Sequence, residues 1–278
     1  MNSRQNQSIL NTGANRVIKL DNRPIALGAR LKQFSAILTL GFKPNFQDYS
    51  EHEKGLILNA KKIYYPTAFY ADLFNAMGKK TFPSFHTYKF ALDKIKQTAI
   101  FNILEIPHPK TKVFYGKKQK LTILNFFNFP FIAKKPRGSA KGKDIHLIQN
   151  SEDLSCYLDN KGPAYIQEYF PIKKDMRIII IGKKIRLAYF RIAAPDNFRT
   201  NISQGGTIDF TPLPQKALDL ALNTASRCGW DDVGIDIIEH KKKFYVLEAN
   251  MKYGTKGFKK ANINYKEMLA GLIVEGKI

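Results

Sequence analysis

The chain is short of cysteine, of acid and of long apolar runs, and each shortage excludes a class of protein. Its 278 residues include 2 cysteines, Cys156 and Cys228. They lie far apart and outside any CxxC spacing, so they offer neither a disulfide framework nor a thiolate metal knuckle. The longest apolar stretches, around Phe126 to Ala133 and Ile178 to Ile181, fall well short of the ~18 residues that a bilayer span needs. The opening residues, Met1-Asn2-Ser3-Arg4-Gln5-Asn6-Gln7-Ser8 onward, lack an apolar signal core and an Arg-rich amphipathic pattern, so a soluble cytoplasmic protein without a membrane partner is expected. Asp and Glu number 23 against 45 Lys and Arg, a formal net charge of +22. Such a field invites nucleic acid or a ribosome. Lysine is nevertheless spread along the whole sequence, with no helix-turn-helix, zinc-finger or RNP motif beside it, so the charge reads as a general attraction for anions.

What the chain does have is a set of hard oxygen ligands. The runs Val233-Gly234-Ile235-Asp236-Ile237-Ile238-Glu239 and Phe244-Tyr245-Val246-Leu247-Glu248-Ala249-Asn250 are rich in β-branched and aromatic residues, and His240-Lys241-Lys242-Lys243 separates them. That pattern is strand, polar turn, strand. A hairpin over 233–250 centred on Lys242 sets Asp236 opposite Glu248, with Cβ atoms roughly 5 Å apart. Asn250, two residues further on, points to the same face. Two carboxylates and an amide oxygen, with no cysteine and no paired histidine, suit Mg²⁺ or Mn²⁺ better than zinc, and such sites usually take phosphate oxygens as well.

Residues 1–30 read as an irregular segment. The spacing then predicts strand Phe34–Gly41, helix Tyr49–Ala60, strand Lys62–Tyr65, helix Ala68–Met77 and strand Lys80–Phe82, a small parallel α/β unit over 31–86. A longer amphipathic helix is expected over Thr87–Leu104. From Lys112 onward strands and hairpins dominate, with helices near Glu152–Leu158 and Pro214–Cys228, so 87–278 forms a second unit. The expected class is mixed α/β.

A nucleotide could sit in that second unit. Residues 129–148 read as strand, basic glycine-containing loop, strand, a hairpin whose loop N–H groups could fold over phosphates as a flap. The loop is no Walker A motif: the spacing is one residue short, Asp144 stands where Ser or Thr should be, and a strand follows where a helix should begin. Lys134 on the supporting strand and Lys94 on the preceding helix are available as point charges. Gln167-Glu168-Tyr169 ends a strand that stops at Pro171, and free backbone groups there can meet an adenine edge. Beyond it lie Asp175-Met176-Arg177 and a polar loop, Phe198-Arg199-Thr200-Asn201 to Gly205-Gly206, whose arginine suits phosphate. No Ser-His-Asp or Cys-His arrangement is present.

In this order the motifs resemble the ATP-grasp superfamily and, within it, the RimK-like α-L-glutamate ligases. The resemblance rests on Asp93-Lys94, Lys134 before Gly138, Gln167-Glu168-Tyr169, Asp175-Met176-Arg177, Phe198-Arg199-Thr200-Asn201, Gly234-Ile235-Asp236 and Glu248-Ala249-Asn250. It implies an ATP-grasp fold after a shortened α/β domain, with ATP and two magnesium or manganese ions as cofactors. By the same resemblance, Lys94, Lys134, Gly138, Ser139, Gln167, Arg177 and Arg199 would surround the nucleotide, Glu168 and Tyr169 would meet adenine, and Asp175 would hold the ribose. Arg199 and Asn201 would act at the γ-phosphate, and Asp236, Glu248 and Asn250 would bind the metals. The implied reaction is carboxylate phosphorylation followed by attack of an amine, joining an amino acid, peptide or protein tail. The alternative left open is a non-catalytic ATP-binding scaffold associated with ribosome or nucleic acid. One departure stands out: Met251-Lys252-Tyr253-Gly254 follows Asn250 where these ligases continue with a small residue and Pro-Gly, and the identity of the second substrate is lost there.

Overall fold

The computed structural model describes residues 22–138, 144–159, 162–194 and 205–278. The first unit is a four-stranded parallel sheet in the order β2-β1-β3-β4. Its elements are β1 (Ile25–Ala26), β2 (Leu38–Thr39), α1 (Glu51–Asn59), β3 (Lys62–Tyr64), α2 (Thr67–Ala76) and β4 (Lys80–Phe82). The expected irregularity of residues 1–30 is therefore corrected: within its described part, Ile25 and Ala26 form the strand between β2 and β3. Two residues with no alternation are too short to register as a period. The expected strand Phe34–Gly41 shrinks to Leu38–Thr39, because Phe34 closes a turn by donating to the Leu31 carbonyl at 3.0 Å and Ile37 donates back to Phe34 at 3.0 Å. α1 begins where its sequence says it should: the Ser50 hydroxyl accepts from Glu53 N–H while Glu53 reaches back to Ser50 N–H, a capping box that holds two otherwise orphaned donors.

The expected helix over Thr87–Leu104 is two helices, α3 (Phe85–Lys89) and α4 (Lys94–Ile103). The break is made by a tertiary contact. Gly138 N–H donates to the Leu92 carbonyl at 3.1 Å, Lys94 N–H donates to the Pro136 carbonyl at 3.0 Å, and Arg137 Nε meets Asp93 at 3.0 Å. Asp93 thus leaves the helix, caps α4 through Lys96 N–H at 3.0 Å, and ties the helix to the base of the flap.

Two antiparallel sheets follow. One is ordered β5-β8-β6-β7, from β5 (Thr111–Phe114), β6 (Phe131–Lys134), β7 (Ile145–Ile148) and β8 (Ala164–Glu168), with α5 (Gly116–Lys120) and α6 (Ser151–Leu158) beside it. The other is ordered β11-β10-β9-β12-β13, from β9 (Lys174–Ile181), β10 (Lys184–Ile192), β11 (Thr207–Asp209), β12 (Asp232–His240) and β13 (Lys243–Asn250). Helix α7 (Gln215–Cys228) covers one face of this second sheet. The short α8 (Lys256–Lys260) and α9 (Tyr265–Val274) join its other face to the small parallel sheet. The isoleucine run in β9 is explained by this burial on both sides: Ile178 and Ile180 pack toward α7, Ile179 and Ile181 toward α9. Among the described residues no helix is long and apolar enough to cross a membrane.

The hairpin of β12 and β13 pairs Asp236 with Glu248 and Gly234 with Asn250. The turn, however, is centred between Lys241 and Lys242, since His240 pairs with Lys243 and Ile237 with Val246. A bulge between Asp236 and Ile237 absorbs Leu247 and restores the opposed carboxylates. Lys241 and Lys242 have φ of +48° and +62°, a two-residue primed turn that favours Asn-Gly. Lys242→Gly is therefore expected to stabilise the protein by about 1 kcal/mol, read as a shift of the urea midpoint at constant slope.

Candidate functional site

The two antiparallel sheets face each other across a cleft. Its walls are apolar: Ile132 and Ile145 come from one sheet, Ile238 and Leu247 from the other, and Ile172 closes the side. At its edge β8 ends at Glu168, and Tyr169 and Phe170 run out of the sheet along the cleft. This hinge segment, Glu168 to Phe170, is fixed at its far end, where Phe170 stacks on His240 with ring centroids 4.3 Å apart. Aliphatic walls beside a strand that has stopped pairing can accommodate a flat heteroaromatic ring.

Charge gathers at the inner end. Pairing puts Tyr189, Arg177, Asp236 and Glu248 in one row across β10, β9, β12 and β13. Asp236 is 4% exposed. It accepts a two-pronged contact from Arg177, with Nη2 at 2.9 Å, another from Arg191 Nη2 at 2.9 Å, and the Asn250 amide at 3.2 Å. Burial works to raise the Asp236 carboxyl, but Arg177 and Arg191 outweigh it and hold it below the ordinary value. Glu248 meets Lys94 Nζ at 3.1 Å. Lys134, 3% exposed, donates to Gln167 at 2.7 Å, and Gln167 in turn donates to Thr111 at 2.9 Å. Four cations, Lys94, Lys134, Arg177 and Arg191, thus face Asp175, Asp236 and Glu248 in one buried patch.

Of the residues singled out in the sequence, Lys94, Lys134, Gln167, Arg177, Asp236, Glu248 and Asn250 come together here, and Glu168 and Tyr169 line the cleft. Gly138, with φ of +67°, sits at the root of the flap. Ser139, Arg199 and Asn201 lie outside the described residues. Asp175 is 1% exposed and both its oxygens engage Arg191, at 2.7 and 2.5 Å, so in this structure it is a buried counter-ion. Two contributors escaped the sequence reading. Arg191 belongs to no motif in the sequence, and its register opposite Asp175 places it in the cluster. Gln97 donates to the Ala249 carbonyl at 2.8 Å and accepts from Ala249 N–H at 3.1 Å, pairing with β13 as a strand would. An isolated glutamine in a helix carries no signal of that.

The donor set Asp236, Glu248 and Asn250 fits a magnesium or manganese ion in kind, being oxygen only and spaced across one ladder. In the described structure those oxygens are met by Arg177, Arg191 and Lys94 instead, so an arriving ion would require these side chains to turn toward another anion, such as a polyphosphate.

Burial lowers Lys134 to about 8, partly offset by the attraction of Glu248. A bound polyphosphate raises it again. Below pH 8 the ammonium is already charged and binding takes up no proton through it. Above pH 8 the free site has lost that proton and binding must supply it, so nucleotide affinity falls as pH rises, by up to about tenfold per unit. Calorimetry of MgADP in buffers of different ionisation enthalpy is expected to show proton uptake near one at pH 9, and Lys134→Met is expected to abolish it.

Residues 91–273 match the model of the RimK-like ATP-grasp domain. The chain is 27% identical over 190 residues to the coenzyme gamma-F420-2:alpha-L-glutamate ligase of Methanocaldococcus jannaschii, a match covering 66% of this chain and 65% of that protein. With the glutamate–LysW ligase of Sulfurisphaera tokodaii it shares 28% identity over 229 residues, 77% of this chain and 81% of that one. Among solved structures it superposes on a RimK-domain ATP-grasp protein of Sphaerobacter thermophilus with a TM-score of 0.66 and 14% identity, covering 90% of this chain and 98% of that one. The ATP-grasp ligase PsnB, complexed with a minimal precursor, Mg and ADP, gives a TM-score of 0.67 at 14% identity, covering 93% and 100%. The mixed α/β architecture described above is thus the ATP-grasp fold.

Proposed function

The chain belongs to the RimK-like ATP-grasp family, and from that premise we propose that it is an ATP-dependent carboxylate–amine ligase working through an acyl phosphate. One observation carries the reading: Lys94, Lys134, Arg177 and Arg191 converge with Asp236 and Glu248 at the inner end of an apolar cleft. Phosphoryl transfer needs alignment and neutralised charge more than it needs a covalent residue.

In this reading the base lies between Ile132 and Leu247, with Glu168 and Tyr169 at its edge. Lys134 and Lys94 neutralise the phosphates, and Arg177 adds charge from the sheet below. Asp236, Glu248 and Asn250 would hold magnesium or manganese, which when bound supplies further neutralisation of the phosphate oxygens. Arg199 and Asn201 are assigned to the γ-phosphate. A substrate carboxylate oxygen attacks the γ-phosphorus and ADP leaves. The amine then attacks the acyl carbon, phosphate leaves, and the amine loses its proton. The flap beyond Gly138 excludes water from the acyl phosphate. An amino acid, peptide or protein tail is the proposed substrate class, with glutamate first among the amino acids because the relatives are glutamate ligases.

The test is oxygen transfer. A carboxylate substrate labelled with heavy oxygen must pass one labelled atom to the phosphate released. Label retained wholly in the amide and in unreacted acid would exclude the acyl phosphate.

A further inference from the structure

Arg30 stands at a strand end that the proposed reaction has not used. It follows β1 directly, in the turn Ala29–Leu31, at the carboxyl end of the small parallel sheet. The order β2-β1-β3-β4 puts the reversal of winding between β1 and β3, and open parallel sheets bind ligands outside their strand ends at that reversal. The backbone there is tightly held. Gly28 N–H donates to the Tyr65 carbonyl at 2.8 Å, and a Cβ on Gly28 would meet that oxygen at 3.0 Å. Tyr65 and Thr67 keep φ of +46° and +70°, a left-handed conformation that aromatic and β-branched residues adopt only under constraint, and such constraint clusters at ligand sites.

The Arg30 guanidinium is held in place but left open. Its carbon lies 4.8 Å from the centroid of the Tyr65 ring and 5.8 Å from that of Tyr265, and Nη1 donates to the Tyr265 hydroxyl at 2.7 Å. That hydroxyl is 3.3 Å from the Tyr253 hydroxyl, which donates to Asp232; Asp232 also accepts from Tyr65 at 3.4 Å. Asp232 is buried, with no lysine or arginine in ion-pair contact among the described residues. It therefore anchors the phenols, and the phenols orient the arginine. Burial, partly offset by Tyr253, raises Asp232 to about 6, so the cluster keeps a charge that packing alone would not favour. Of the five N–H groups of Arg30, one has a partner among the described residues. The side chain is exposed and no carboxylate pairs with it there.

Tyr253 joins this strand end to the reaction centre. A Cβ on Gly234 would meet Tyr253 Cβ at 3.0 Å and Arg177 Cδ at 3.2 Å, and Gly234 pairs with Asn250. The absence of a side chain at Gly234 lets Tyr253 lie against the charged row. From the Tyr253 ring it is 6.2 Å to the Tyr265 ring, and the guanidinium is the next group beyond. Arg30 and Tyr65 also lie outside residues 91–273, the part matched to the family.

We propose that Arg30 binds the spectator carboxylate of an amino-acid or peptide substrate, the one that does not enter the amide bond, with Tyr265, Tyr253 and Asp232 as positioning residues. The assignment rests on the ligase reading. A guanidinium fork accepts a carboxylate through two parallel hydrogen bonds.

The test uses the full chain as wild type, Arg30→Ala, Arg30→Lys and Tyr265→Phe. Each is assayed with MgATP against amino acids and dipeptides supplied as free acids and as carboxyl-terminal amides, and MgADP affinity serves as the check on folding. Amidation is expected to cost wild type roughly ten- to a hundredfold in kcat/KM, mostly through KM. Arg30→Ala should treat acid and amide alike with MgADP affinity unchanged, Arg30→Lys should recover part of the preference, and Tyr265→Phe should raise KM for the acid by a smaller factor. An Arg30→Ala protein that keeps the wild-type preference for the acid overturns the assignment and leaves the ligase reading standing, and so does one that loses MgADP binding together with the preference. Absence of turnover by wild type with every pair sinks the ligase reading and this assignment with it.

Discussion

Glu248→Gln is expected to abolish turnover and to leave the fold standing. The side chain is 22% exposed and its ion pair with Lys94, at 3.1 Å, lies at the edge of the charged row. The amide has the same shape, can still accept from Lys94, and breaks no packing. Stability should change by less than about 1 kcal/mol. The charge is another matter. Removing one of two carboxylates from the donor set halves its negative charge, and electrostatic stabilisation of a transferring phosphoryl group commonly falls on the order of a thousandfold when one preorganised partner is lost. The paired measurements are Mn²⁺ titration in the presence of ADP, turnover, and melting temperature. Weakened metal binding and lost turnover at an unchanged melting temperature is the expected set. Wild-type metal affinity would show that Glu248 serves only as the partner of Lys94.

Asp236→Asn, by contrast, is expected to damage the fold itself. Arg177 and Arg191 both turn their guanidinium groups onto this buried carboxylate, and Arg191 alone has a second acid, Asp175. Substitution leaves Arg177 buried without a counter-charge. Removing one partner of a buried pair typically costs about 3–5 kcal/mol, a large share of the 5–15 kcal/mol by which a domain of ordinary stability is folded, on the order quoted for globular proteins. Because Asp236 is held below the ordinary carboxylate value, its contribution is present above that ordinary value and is lost as pH falls through the lowered one. The acid limb of unfolding should therefore flatten in Asp236→Asn. The double variant Asp236→Asn with Arg177→Met removes both charges and should recover much of the loss. Equal urea midpoints for wild type and Asp236→Asn would refute the buried-pair account.

The contrast between these two carboxylates marks how far the sequence could be read. Their opposition on a hairpin was legible, because alternating β-branched residues on either side of a lysine turn fix a period of two. The reason for the opposition was not: the turn centres one half-residue earlier than the pattern indicates, and a bulge at Leu247 makes up the difference. A bulge is set by the twist and burial of the finished sheet and leaves no composition signal. The same limit explains Thr87–Leu104, whose helical periodicity continues through Asp93, while the interruption comes from Pro136, Arg137 and Gly138, more than forty residues away. It also explains Asp175. Motif order suggested an acid beside the hinge, but strand register sets it opposite Arg191 inside the sheet. Local periods and motif order reached the fold class, the cleft and most of the cations. Contacts made across the sheet had to be seen.

The central claim is that the charged row drives amide formation, and one assay addresses it directly. The purified protein is incubated with MgATP and pooled amino acids and peptides, and ADP, phosphate and product masses are measured together. The account predicts ADP released only when both a carboxylate and an amine partner are present, with one phosphate and one condensed product, lighter than the two substrates by one water, for each ADP. ADP release that is indifferent to the pool, or that proceeds without any condensed product, would contradict it.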